Sequence, residues 1–199
     1  IDYYDRGAAA HPERIALSGN GIKYTYAEAV QRSTGFARGL YAAGFTLGEA
    51  VAVFAPNDPR AMLAVIGTLR AGGAWVPVNV RNAVSTNAAY MSYVRTRWLF
   101  YHSAVAGLVA ELVPQLPDLK GVVCIDQDGS EHPSLDEFVA AAGDAEIPDW
   151  GDAFGSPDHP VSLWPTGGTT GPSKGVVMSN RAWCTMVEMG MHYFDIGEP

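Results

Sequence analysis

Short apolar runs alternate along the chain with longer segments that mix apolar and polar residues. The runs at residues 51–55, 75–78, 98–101, 122–125 and 161–164 are typical of strands buried on both faces of a parallel sheet. The segments between them can form helices, and repeated strand and helix units favour right-handed crossovers. The pattern therefore predicts an α/β fold with a doubly wound, mostly parallel sheet and flanking helices.

Turn and cap residues predict where several elements begin and end. Gly19-Asn20-Gly21 separates apolar stretches at 15–18 and 22–24, which predicts a β-hairpin. Gly44 is predicted to end the first long helix. Helix starts are predicted by a capping side chain with a suitable residue after it: Thr25 with Glu28, Asp58 with Pro59, and Ser134 with Glu137.

The segment 166–175 reads Thr-Gly-Gly-Thr-Thr-Gly-Pro-Ser-Lys-Gly and combines three features of a phosphate-binding loop. Its glycines allow backbone N–H groups to approach an anion, its adjacent threonines add hydroxyl donors, and Lys174 supplies positive charge. The segment is predicted to lie between strands at 161–164 and 175–178, with Ser179 capping the next helix. These features predict a site for the phosphates of a nucleotide.

Other readings of this segment fit the residues less well. A Walker A loop requires Gly directly before the Lys and Ser or Thr directly after it, whereas Ser173 precedes Lys174 and Gly175 follows it. No G-x-G-x-x-G sequence follows a predicted strand, which argues against a dinucleotide-binding fold. A plain glycine-rich turn is the remaining alternative.

Several stretches of the chain resemble one family. The segment 165–179, together with residues 11–17, 24–28 and 71–79, resembles the AMP-forming acyl-CoA synthetases, a superfamily that includes adenylation domains and luciferases. This sequence departs from the common motif of the family at Pro172-Ser173, where many relatives have a variable residue and then Pro. Asn180 stands where many relatives have His, so no role is transferred to it.

The resemblance implies a function for the full-length protein. It implies that ATP, with Mg²⁺, activates a carboxylic acid as an acyl-adenylate, and that coenzyme A then accepts the acyl group. A fatty acid is the favoured substrate class, because this form of the glycine-rich motif is common among fatty-acyl members. An adenylating enzyme that transfers the acyl group to a carrier-protein thiol is one alternative, and a non-catalytic nucleotide-binding or interaction module is another.

The resemblance also assigns roles within the loop. Lys174 and Thr169 are the expected catalytic residues, with Lys174 neutralising phosphate charge. The residues expected to hold the nucleotide are Thr166, Thr169 and Thr170 through hydroxyls, Gly167, Gly168 and Gly171 through backbone N–H groups, and also Lys174 and Gly175.

The resemblance implies that residues 1–199 are the N-terminal portion of a large adenylation domain. The rest of that domain and a C-terminal domain are expected beyond Pro199. The fragment alone is therefore expected to be inactive.

Composition narrows the possible partners and location. A net charge of −8, with 13 basic residues spread along the chain, argues against a nucleic-acid partner. The five histidines lack paired spacing, so no metal site built on them is expected. Cys124 and Cys184 are interpreted as two reduced, buried thiols, and no apolar run is long enough to span a membrane. These features favour a cytoplasmic protein.

Four aromatic residues lie close to the loop in sequence: Trp164, Trp183, Tyr193 and Phe194. Packing in the core is the favoured interpretation for most of them, because aromatic residues near strands and at helical spacing are usually buried. Lining of an acyl pocket is the alternative.

Overall fold

The computed structural model of the protein describes residues 1–127, 130–151, 155–167 and 173–194. The strands in these ranges are β1 Ile15–Gly19, β2 Ile22–Thr25, β3 Ala50–Phe54, β4 Ala74–Pro77, β5 Thr96–Tyr101, β6 Gly121–Cys124, β7 Pro160–Pro165 and β8 Gly175–Ser179. The α-helices are α1 Asp2–Ala10, α2 Tyr26–Ala42, α3 Pro59–Arg70, α4 Val84–Tyr93, α5 Ala106–Leu112, α6 Leu135–Ala140 and α7 Asn180–Tyr193. Short 3₁₀ helices at Ser103–Val105 and Val113–Gln115 flank α5.

The main sheet has six strands in the order β6-β5-β3-β4-β7-β8. The first five are parallel to their neighbours, and β8 is antiparallel to β7. β1 and β2 form a separate antiparallel pair, as the turn at residues 19–21 predicts. The α/β fold with a mostly parallel sheet is therefore confirmed.

The core consists of two apolar clusters that share the central strand β3. All five residues of β3 are buried, and they alternate between the two clusters. Phe54 packs with Leu99 and Met91 in one cluster, whereas Val51 and Val53 belong to the other. The side chains of each central strand therefore pack against apolar residues on both faces of the sheet, which explains why these strands contain few polar residues.

Chain order brings the loops after several strands to one edge of the sheet. The chain leaves β3 for β4 on one side and then returns past β3 to β5 on the other side. Because the strands are parallel, their carboxyl ends meet at the same edge, where ligands of such sheets bind. The segment that follows β7 lies at this edge.

Local signals explain where most helices begin. Both predicted capping boxes are present, with the Thr25 and Ser134 side chains each accepting from the backbone N–H of a glutamate three residues on. Asp58 caps α3 by accepting from the N–H of Arg60, and Pro59 occupies the first helical position. No start was predicted for the helices α1 and α4, because neither begins with a capping side chain.

The two cysteines differ in environment. Cys124 is buried in the sheet, as predicted, whereas Cys184 is exposed on α7, so the prediction of a second buried thiol is wrong. The reason is that no residue of α7 is buried by the described part of the chain, although the helix carries several apolar side chains. None of the helices described has the length and apolar character needed to cross a membrane.

The packing of α2 against α3 depends on Gly67. In an exposed helix, Gly to Ala stabilises by about 1 kcal/mol, but a Cβ at Gly67 would lie 2.5 Å from Cδ1 of the buried Phe36. We therefore expect Gly67→Ala to lower the free energy of unfolding by about 1–3 kcal/mol in urea denaturation. Gly107→Ala is the matched control, since a Cβ there meets no atom within 4 Å. Equal stability of Gly67→Ala and the parent would contradict this packing.

Candidate functional site

Two paired strands and two hydrogen bonds hold the two ends of the glycine-rich segment together. β7 and β8 pair up to Pro165 and Gly175. Beyond that pair, the N–H of Thr166 donates to the carbonyl of Lys174 at 2.9 Å, and the N–H of Lys174 donates to Thr166 Oγ1 at 3.0 Å. The segment is thus a loop on a hairpin, and its first threonine and its lysine face each other at the base.

The predicted site residues fall into two groups. Thr166, Gly167, Lys174 and Gly175 lie in the described part of the chain, at or near the base of the loop. The remaining predicted residues, Gly168, Thr169, Thr170 and Gly171, lie outside the described residues. The structure therefore describes only the base of the predicted site. The roles assigned to the other four residues stay predictions.

Each residue at the base has a distinct environment. Lys174 is exposed, and within the described part of the chain no carboxylate lies within ion-pairing distance of it. Thr166 Oγ1 accepts a hydrogen bond from within the loop, which leaves its O–H free to donate to a ligand. A Cβ at Gly167 would meet no described atom within 4 Å, whereas Gly175 is packed against α4. The base of the loop therefore presents an available cation beside a hydroxyl donor.

Three tryptophans gather around one buried serine beside the hairpin. Ser162 Oγ accepts from the indole N–H groups of Trp164 and Trp183, both at 2.8 Å. The ring of Trp75 lies 5.3 Å from that of Trp164 and 6.5 Å from that of Trp183. This cluster ties α7 and β4 to β7.

Core packing was predicted for most of the four aromatic residues near the loop, and this prediction is wrong. Trp164 is 38% exposed, Tyr193 is 74% exposed and Phe194 is 78% exposed, whereas Trp183 is half-buried. Tyr193 is the last residue of α7 and Phe194 follows it, in a part of the helix that no described residue covers. Two crevices of about 550 and 600 Å³ lie elsewhere, and none of the described loop residues lines them.

A second polar cluster, at the carboxyl ends of β3, β5 and β6, was missed in the sequence. His102 Nε2 lies 3.4 Å from Asp126 Oδ2 and 3.7 Å from Asp58 Oδ2, and its Nδ1 accepts the N–H of Ala104 at 3.1 Å. The side chains of Asp58 and Asp126 are only 1% and 8% exposed. No local signal could have found this group, because its members are 24 to 68 residues apart in the chain.

Both carboxylates of this cluster are ionised at neutral pH. Hydrogen bonds from the Arg60 guanidinium hold the pKa of Asp58 well below its ordinary value, against the opposing effect of burial. Burial would raise the pKa of Asp126, but hydrogen bonds from the hydroxyl and N–H of Ser103 outweigh it and lower the pKa. These contacts join the three loops that follow β3, β5 and β6 at the edge of the sheet.

The described residues do not supply a metal site of their own. In the ranges given above, no group of three or more His, Cys, Asp and Glu side chains could hold a metal ion. A magnesium ion that accompanies ATP would bind through phosphate oxygens, which are ligands that Mg²⁺ prefers.

Comparison with known proteins adds to this geometry. The profile of the family described as AMP-binding enzyme matches residues 4–198. A medium-chain acyl-CoA ligase of Mycobacterium avium is 31% identical over 96% of this chain and 37% of its own length. A hybrid PKS-NRPS synthetase of a Neonectria species is 26% identical over 94% of this chain and 4% of its own length. The chain thus spans little more than a third of the first relative and a small fraction of the second.

A solved structure shares the fold. The crystal structure of a putative long-chain-fatty-acid CoA ligase from Rhodopseudomonas palustris superimposes with a TM-score of 0.78, at 24% sequence identity. The match covers 94% of this chain and 47% of that one.

The hydrogen bond from Lys174 to Thr166 can be tested without a ligand. Thr166→Val removes the acceptor, so we expect the Lys174 amide to exchange its hydrogen about fivefold faster, as the loss of about 1 kcal/mol implies. Thr166→Ser keeps the hydroxyl and is the control, with exchange unchanged. Hydrogen exchange read by NMR at the Lys174 amide makes the comparison, and equal rates in all three proteins would rule out this closure of the loop.

Proposed function

The chain belongs to the family of AMP-binding enzymes, and from that premise we propose that the full protein uses ATP to activate a carboxylic acid. The product of this step is an acyl-adenylate, from which a thiol then takes the acyl group. The observation that carries the proposal is the closed base of the loop, where Lys174 has no ion-pair partner among the described residues.

The chemistry explains why such a loop is needed. A carboxylate oxygen attacks the α-phosphorus of ATP, the bond from that phosphorus to the bridging oxygen breaks, and pyrophosphate leaves with the bonding electrons. Negative charge therefore grows on the β-phosphate side in the transition state. Fixed N–H and O–H donors and a cation lower the barrier when they lie where this charge develops.

The described residues can perform part of this task. Lys174 supplies the cation, and its backbone is held by Thr166 on the opposite side of the loop base. The Thr166 hydroxyl can donate to a phosphate oxygen while it accepts from Lys174. The proposal gives Gly168, Thr169, Thr170 and Gly171 the remaining donor roles, with Thr169 beside Lys174 in catalysis.

We further propose that residues 1–199 form the N-terminal portion of an adenylation domain. Their match to 47% of the Rhodopseudomonas palustris protein supports this assignment. The acyl pocket and the remaining groups of the site would then come from sequence that follows this portion.

The acyl acceptor has two candidates. Coenzyme A, with a fatty acid as substrate, is favoured by the similarity to the Mycobacterium avium medium-chain acyl-CoA ligase. A carrier-protein thiol is the second candidate, supported by the match to the hybrid PKS-NRPS synthetase. In either case the thiolate attacks the acyl carbon of the adenylate, and AMP leaves with the electrons of the broken C–O bond.

Removal of the loop cation tests the proposed role of Lys174. We expect Lys174→Ala to slow acid-dependent pyrophosphate release by the full protein about ten- to a hundredfold, since one charged hydrogen bond contributes roughly 1.5–3 kcal/mol. Lys23→Ala is the matched control, because it removes the same charge from an exposed position on β2. An unchanged rate in folded Lys174→Ala would exclude the lysine from the mechanism.

The acceptor can be identified by the release of AMP. After the acyl-adenylate has formed from a fatty acid, we expect coenzyme A to accelerate AMP release at least tenfold, because thiolysis replaces slow hydrolysis. A phosphopantetheinylated carrier protein serves as the competing acceptor in the same assay. Acceleration by the carrier protein and not by coenzyme A would contradict the favoured acceptor.

A further inference from the structure

The hairpin that carries the loop is joined to the main sheet over a short length. β7 pairs in register with β4 at a single position, Trp75 with Ser162, and β8 is an edge strand of the described sheet. Val176 and Val177 of β8 are exposed. Contacts outside the β-ladder are therefore needed to fix the hairpin at its loop end.

Tyr90, in the last turn of α4, makes one of these contacts. Its hydroxyl donates a 2.8 Å hydrogen bond to the carbonyl of Leu163 in β7, three residues before Thr166. Tyr90 is 6% exposed, and burial raises its pKa to about 12. The hydroxyl therefore stays protonated at physiological pH and remains a donor.

Gly175, the first residue of β8, makes the other contact. A Cβ at this position would lie 3.2 Å from Val94 Cγ1, 3.7 Å from Tyr93 Cε1 and 3.8 Å from the Tyr90 hydroxyl. The absence of a side chain thus lets β8 approach α4 closely. Because Gly175 follows Lys174 directly, a shift of Gly175 would move the backbone of the lysine.

We propose that the α4 end, defined as Tyr90, Tyr93 and Val94, positions the phosphate loop by holding both strands of its hairpin. Tyr90 fixes β7 before Thr166, and Val94 with Tyr93 fixes β8 after Lys174. The two hydrogen bonds between Thr166 and Lys174 then join these fixed points. The inference rests on the proposed function in one respect, namely that the ligand of the loop is ATP.

Deletion of one hydroxyl tests the contact to β7. We expect Tyr90→Phe to raise the KM for ATP about three- to tenfold, as the loss of one hydrogen bond implies, with the KM for the acid unchanged. Tyr41→Phe is the matched control, since the Tyr41 hydroxyl also donates to a backbone carbonyl, that of Ala71, in another part of the fold. A KM for ATP that rises equally in both variants, or in neither, overturns the positioning role.

A compensating pair tests the contact to β8. We expect Gly175→Ala to raise the KM for ATP at least threefold, because the new Cβ pushes β8 away from Val94. In the Gly175→Ala/Val94→Ala double variant, the removed methyl groups make room, and the KM should return to within about twofold of the Val94→Ala value. Additive effects of the two substitutions would contradict the proposed contact.

Hydrogen exchange measured without nucleotide tests the role of the α4 end independently of the proposed function. Tyr90→Phe should speed exchange of the amides of Leu163, Trp164, Thr166 and residues 174–177, and Tyr41→Phe should leave them unchanged. Unchanged exchange in Tyr90→Phe overturns the role of the α4 end, whatever the protein binds. If the full protein does not bind ATP with Mg²⁺, the proposed function fails, and the exchange data still decide whether α4 holds the hairpin.

Discussion

Burial of β3 on both faces is the constraint on which the rest of the structure depends. All of Ala50–Phe54 is buried, and parallel neighbours β4 and β5 flank it. Such a strand needs helices on both sides of the sheet, and the crossovers that supply them return every parallel strand in the same direction. The carboxyl ends consequently share one edge, which is why the loop after β7 and the charged cluster around His102 lie along the same border of the sheet.

Much of this architecture could be predicted from the sequence, because its signals are local. The apolar runs gave the strands, and capping residues such as Thr25 and Ser134 gave the helix starts. The helix α4 could not be found in this way. It begins at Val84, and Ala83 before it supplies no capping side chain. It also buries Asn87 together with Tyr90, so neither its start nor its pattern is distinctive. Its stability comes from tertiary contacts, which a local pattern does not report.

For the candidate site, the loop residues could be predicted from the sequence, but the contacts that support the loop could not. The glycines, threonines and Lys174 are contiguous, so their shared role could be inferred from composition alone. The contacts that hold the loop could not, since Tyr90 and Leu163 are 73 residues apart and meet only through the fold. The exposure of Cys184 and Phe194 was mispredicted for the same reason, because burial of an apolar residue depends on which element covers its helix.

We propose that the loop between β7 and β8 holds the phosphates of ATP while a carboxylic acid is activated. Exchange of labelled pyrophosphate into ATP tests it most directly, because exchange requires reversible formation of an acyl-adenylate. With the full protein, ATP, Mg²⁺ and a panel from acetate and benzoate to fatty acids of graded length, the account predicts exchange that depends on the acid and is greatest with fatty acids. Absence of exchange with every acid, in a folded protein that binds ATP, would contradict it.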